Sequence, residues 1–375
     1  MLGIFCWRQK RGLFLQIFAF LKEHSWGYVT EKRQKLVKKE PFWAQRENPQ
    51  HALIPPFGMN DYLIQFALLR ERSFRETNNR ELFRRLLLCM EFTGNHSESR
   101  ELYEEILDQH PYCSYAWHNL GWACLQLDAP EDALEAFEYA YITMPFFEEA
   151  YRAYGELAFE RGLYRSALQC YTEMSANMEA DSTVLARTGE CHLRLGEIGA
   201  AKKMCKQALQ ADPFNAEAYY QLGACFAAEK DYRTAARWMR EAIRTEERRE
   251  EFHSALAIVY NCLGQSKKAL AHYWKAVEIA PEEPASWLQL AEFLMLAGEM
   301  PEALEVLEQA LENSTGAELL YCNAACQFLS GNRNAAVLTL RQALAADAGS
   351  QTSIYRWAPA LRDDAEITGL LNSFR

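Results

Sequence analysis

No stretch of this 375-residue sequence is apolar for long enough to cross a bilayer as a helix, which takes ~20 residues. The longest candidate, Leu13 to Leu21, is followed by Lys22-Glu23-His24-Ser25-Trp26, which offers no small-residue cleavage site. Neither an integral span nor a signal peptide is therefore expected. Paired cysteines are missing too. The count is eleven, an odd number scattered through apolar helical patterns, so no disulfide framework is expected and a reducing, cytoplasmic setting fits best. Gly (18) and Pro (12) are too few and too dispersed for a collagen-like chain, and 49% hydrophobic residues exclude a disordered one. No P-loop, no dinucleotide-binding glycine motif, no G-x-S-x-G and no H-E-x-x-H occurs, and few strands are expected to carry such motifs. Positive charge is also scarce over most of the length. Residues 1–79 hold 13 Lys+Arg against 7 Asp+Glu, whereas residues 80–375 hold 27 against 44 and are acidic by −17. A sequence-independent phosphate binder is not expected in that long acidic part.

What is present is a repeat. Taking Ser114–Phe147 as reference, units of 34 residues follow at 80–113, 114–147, 148–181, 182–215, 216–249 and 250–283, then 284–316 and 317–350 after a one-residue deletion near Ser314-Thr315-Gly316. Position 20 reads Ser99, Ala133, Ala167, Ala201, Ala235, Ala269, Ala303 and Ala336, a phase that chance does not hold. Position 8 is Gly or Ala in seven units and position 27 is Ala in six. Small side chains at 8, 20 and 27 are what two antiparallel helices need where their backbones approach. Position 15 is Gly in six units, which ends the first helix in a left-handed turn, and Pro at position 32 in four units closes the second. Each unit is thus expected to be helix, turn, helix, connector.

Aromatic side chains such as Phe83, Trp117, Tyr151, Tyr219 and Trp287 at position 4, and Tyr103, Phe137 and Tyr171 at position 24, are expected to be core, since no single unit can bury its apolar face without its neighbours. The pattern W-x2-L-G, followed by A, F, A and P, resembles the tetratricopeptide repeat family over residues 80–350, with Cys124 where a tyrosine is usual. The resemblance implies an all-α, right-handed α-solenoid of about eight helix-turn-helix repeats with terminal capping helices, whose concave surface binds peptides or other proteins. A basic N-terminal arm (1–58), an N-terminal capping helix (59–79) and a C-terminal capping helix (351–375) complete the expected organisation. In the arm, residues 41–60 are rich in proline, and Asn60 or Asp61 is expected to cap the helix that follows. At the far end Asp363, with Glu366 three residues on, is expected to start the last helix.

Metal and cofactor chemistry finds no support. Glu250-x-x-His253 is a lone E-x-x-H motif, and His253 stands at position 4, a packing slot. Cys322 and Cys326 lack a second thiol pair, and Cys326 stands at position 10 with Cys89, Cys191 and Cys225, where a small apolar group packs. The chain is therefore expected to be a non-catalytic scaffold or adaptor without a cofactor, taking a partner protein or peptide in its groove.

In the family, positions 2, 5, 6, 9, 12 and 13 of the first helix face inward. Carried onto this sequence, the partner-binding candidates are Arg84, Arg85, His118, Asn119, Trp122, Arg152, Glu156, Arg187 and Arg194. The arginines would hold acidic groups of the partner, with Trp122 as an aromatic anchor. Against this stands pairing of the same arginines with Glu149, Glu156, Glu160 and Glu190 along a solvated wall. The carboxylate-clamp arrangement of some family members, Lys and Asn at positions 5 and 9, is replaced here by His118/Trp122 and Arg152/Glu156. A second functional class is a regulatory or assembly subunit whose arm touches a membrane, through residues 4–21, or nucleic acid. Alternatively, the folded region begins near Met59.

Overall fold

The computed structural model describes residues 59–178 and 181–374. The chain divides into two units, Met1–Asp61 and Tyr62–Arg375. The arm and its expected contacts lie outside the described residues, and all the repeats belong to the second unit.

Among the described residues there are 19 α-helices and no strand. The first, α1, is Met59–Ser73, so Asn60 and Asp61, expected to precede it as caps, fall within the helix. Eight antiparallel pairs come after it. They are α2 (Arg80–Thr93) with α3 (His96–Gln109), α4 (Ser114–Gln126) with α5 (Pro130–Thr143), α6 (Glu148–Glu160) with α7 (Tyr164–Asn177), and α8 (Ser182–Arg194) with α9 (Ile198–Ala211). The array continues with α10 (Ala216–Ala228) and α11 (Tyr232–Thr245), α12 (Glu250–Cys262) and α13 (Ser266–Ile279), α14 (Pro284–Ala297) and α15 (Met300–Asn313), and α16 (Ala317–Leu329) and α17 (Arg333–Ala346). From α3 to α17 each helix packs chiefly on its sequence neighbours, while α2 leans more on α4 than on α3, and the pairs stack into an α-solenoid.

The crossing inside each pair explains the small residues. A Cβ added to Gly121 would sit 2.4 Å from the Phe137 ring, and one on Gly155 would sit 2.6 Å from Tyr171. Position 8 is therefore small because the side chain at position 24, one helix on, fills the space above it. The position-20 residues, Ser99 included, and the position-27 alanines are fully buried at the same interface.

Every first helix ends in the left-handed region at position 15. The six glycines take φ between 68 and 85°, and the same conformation is forced on the two other residues at this position, Asp128 (φ 55°) and Lys230 (φ 65°). The turn is thus a demand of the fold, met even where glycine is lacking.

Adjacent units are joined by a recurring hydrogen bond. The Trp117 indole donates to the Pro111 carbonyl at 2.8 Å, and Trp287 donates to Pro281 at 2.7 Å. His253 stands at the same position and donates from Nε2 to the Glu247 carbonyl at 3.2 Å. With that proton on Nε2, the neutral ring accepts at Nδ1 from His272, 3.0 Å away. His253 is a structural surrogate for tryptophan.

The C-terminal segment is not one helix. It runs as a 3-10 turn (Gln351–Ser353), the short α18 (Ile354–Trp357), a second 3-10 turn beginning at Pro359, and α19 (Ala365–Asn372). Asp364, not Asp363, caps α19 by accepting from the Glu366 and Ile367 amides at 3.1 Å, because Asp363 belongs to the preceding 3-10 turn. Arg333 holds Asp364 from the other side at 2.7 Å.

Candidate partner-binding groove

The positions expected to face inward lie on one face of the first helix of each pair. Over the first four units its charge is largely consumed within the chain. Arg84 and Arg85 both pair with Glu81, at 2.8 and 3.0 Å, and their hydrogen bonds hold the Glu81 carboxyl down at about 2. Arg80, one residue before Glu81, reaches across two units to pair with Glu149. Arg152 bridges Glu148 at 2.9 Å and Asp181 at 2.6 Å. Arg187 and Arg194 converge on the buried Glu190, at 2.9 and 3.6 Å, and both lie over the Phe159 ring. The arginines expected to meet a partner each already have an acidic partner in the chain. Glu156 differs: it is exposed and has no ion-pair partner among the described residues.

Of the polar candidates in α4, Asn119 is corrected by the structure. It is 2% exposed and donates to the Phe83 carbonyl at 2.8 Å and the Tyr103 hydroxyl at 3.1 Å, tying the first two units together. His118 and Trp122 form a half-buried pair in which the indole donates to His118 Nε2 at 3.2 Å, beside Phe137 and Phe147. Burial pushes the His118 pKa down to about 4, which keeps the ring neutral and able to accept.

The second half of the wall is open. A cavity of about 440 Å³ lies across α10, α12 and α14, lined among others by Tyr220, Glu250, Glu251, Ile258, Glu283 and Gln289. Ile258 is 46% exposed. Glu251 is engaged by Arg249 at 2.5 Å and Glu283 caps Ala285, while the Gln289 Oε1 is buried without a donor. Among the described residues no cation lines this cavity. Beyond it the wall is covered by the chain itself: Trp357 Nε1 donates to Glu292 at 2.6 Å and Arg356 contacts the same oxygen at 2.7 Å. Neither residue belongs to a repeat, so no spacing in the sequence pointed to them.

The ten described cysteines are free thiols, nine of them buried, and no group of three or more His, Cys, Asp or Glu side chains suited to a metal occurs among the described residues. No described helix is long and apolar enough to cross a membrane.

Comparison with known proteins agrees with this architecture. Tetratricopeptide repeat family models match residues 161–316 and 92–146. The chain is a tetratricopeptide repeat protein. The TPR repeat-containing protein YpiA of Bacillus subtilis is 23% identical to this TPR chain over 249 residues, covering 66% of the chain and 59% of YpiA. The chain thus spans about three fifths of that relative's length. Among solved structures, a thermophilic TPR protein of Thermus thermophilus is 25% identical, covering 48% of this chain and 99% of its own, with a TM-score of 0.43. A tetratricopeptide repeat protein of Parabacteroides merdae is 16% identical and covers 72% of this chain and 98% of its own, with a TM-score of 0.46. The TPR fold is a protein-interaction fold.

Proposed function

We propose that this TPR protein is a non-catalytic adaptor that holds a segment of another protein along the inner wall of its solenoid. The observation that carries the reading is the open cavity on α10, α12 and α14, where an aliphatic side chain, Ile258, is left nearly half exposed beside half-buried Tyr220. Elsewhere the arginines of the wall are paired with carboxylates of the chain. An exposed apolar floor with polar groups around it is the usual composition of a binding groove. The His118–Trp122 pair and the exposed Glu156 continue the same wall toward the N-terminal units and are read as secondary contacts.

Affinity capture with mass spectrometry tests this directly. Wild-type chain is compared with Ile258→Asn and with the Trp122→Ala, Arg152→Glu, Arg187→Glu triple variant. Loss of the same partner from the Ile258 variant, or from both, is the expected result. Identical partner sets for all three chains would refute the groove.

A further inference from the structure

The inner wall of the last unit is covered by α18. The stretch Tyr321–Cys326 of α16 is buried without a break, whereas the corresponding stretch of α10, Tyr220–Cys225, leaves Tyr220 and Ala224 half exposed. Ile354 and Ala358, both almost wholly buried, lie in one cluster with Tyr321 and Ala325. From that seat α18 sends Arg356 and Trp357 one unit back, where a guanidinium and an indole N–H share a single oxygen of Glu292. Glu292 stands at position 9 of its unit, as does Ile258 one unit earlier.

The open stretch next to this seat offers the same combination without its occupant. Ile258 is the apolar floor, and the carboxylates of Glu250 and Glu283, neither with an ion-pair partner among the described residues, stand around it. The buried Gln289 Oε1 lacks a donor. A carboxylate-ringed apolar floor with no cation in its lining attracts cationic groups and repels acidic ones.

We propose that the wall formed by α10, α12 and α14 takes a cationic segment of a partner protein bearing an aliphatic or aromatic anchor, and that Ile354–Trp357 is a built-in copy of that ligand seated beside it. The proposal rests on the groove as the binding site and adds the partner's polarity: basic, where the arginines of the first units had suggested acidic.

The test uses the full chain and two fluorescein-labelled peptides followed by anisotropy. One carries residues 351–360 of this sequence; the other has glutamate in place of its arginine. In the wild-type chain α18 keeps its own seat filled, so binding in trans reports the open wall. The arginine peptide is expected to bind about tenfold tighter than its glutamate counterpart, as one charge-assisted contact supplies. The preference is expected to collapse in Glu250→Gln/Glu283→Gln, and added salt to weaken binding. Equal or tighter binding of the glutamate peptide, abolished by Ile258→Asn, would overturn the polarity while leaving the groove intact. Binding unaffected by Ile258→Asn would overturn both. No binding by either peptide would overturn the inference, and the groove would then be judged by the capture experiment alone.

Discussion

The left-handed turn that ends each first helix makes Lys230 the most informative residue to change. At φ 65° an L side chain pays about 1–2 kcal/mol for contact between its Cβ and the neighbouring carbonyl. Lys230 has no compensating contact: it is exposed and forms no ion pair among the described residues. Glycine removes that cost but brings a more flexible unfolded chain, worth about 0.5–1 kcal/mol in the other direction. Lys230→Gly should therefore stabilise the array by roughly 0.5–1 kcal/mol. The mirror experiment is Gly264→Ala. A Cβ there would meet no heavy atom within 4 Å, so its effect is conformational only and should be a loss of similar size, roughly 0.5–1 kcal/mol. Urea unfolding of the full chain should show opposite shifts of the midpoint at unchanged slope. Because solenoids open unit by unit, hydrogen exchange at the α10–α11 and α12–α13 turns should report the same signs locally. A destabilised Lys230→Gly, or a Gly264→Ala variant as stable as wild type, would refute the argument that backbone conformation alone selects glycine here.

Three further outcomes are expected. Gly121→Ala should cost about 1–3 kcal/mol through overpacking against Phe137. Phe137→Leu in the same chain should recover part of that loss in a double-mutant cycle, as the alanine–leucine pairs at Ala291/Leu307 and Ala324/Leu340 suggest. Ser99→Ala should stabilise by about 1 kcal/mol, since its hydroxyl is buried without a partner at a position where every other unit has alanine. Thermal melts followed by circular dichroism should fall as pH drops from about 6.5 toward 4. His118, His253 and His272 are held neutral by burial, with pKa values below that of a free histidine, so below about 6.5 the unfolded chain binds more protons. His118→Phe should flatten that slope, and a melting temperature independent of pH over this range would count against the buried neutral ring.

Much of this architecture is legible because its rules are local. A crossing between helices sixteen residues apart in register shows itself as Gly121 under Phe137, and a left-handed turn as a glycine such as Gly264, so period and residue size suffice to place both. The site was less legible. Asn119 stands at an inward position of the family pattern yet serves the joint between units, because its amide reaches the Phe83 carbonyl. The family pattern counts the arginines among its inward positions, but it does not give their partners: Arg80 meets Glu149 two units away, and Trp357 meets Glu292.

Amino-acid order by itself determined the helix pairs, their small-residue crossings and the nearest-neighbour stacking, since each depends on side chains within one or two turns of the repeat. Only the tertiary structure decided which charges remain free and which part of the wall stays open. Those depend on contacts between units that are not neighbours in the sequence, as between Arg80 and Glu149 or Trp357 and Glu292, and such contacts follow from no single spacing.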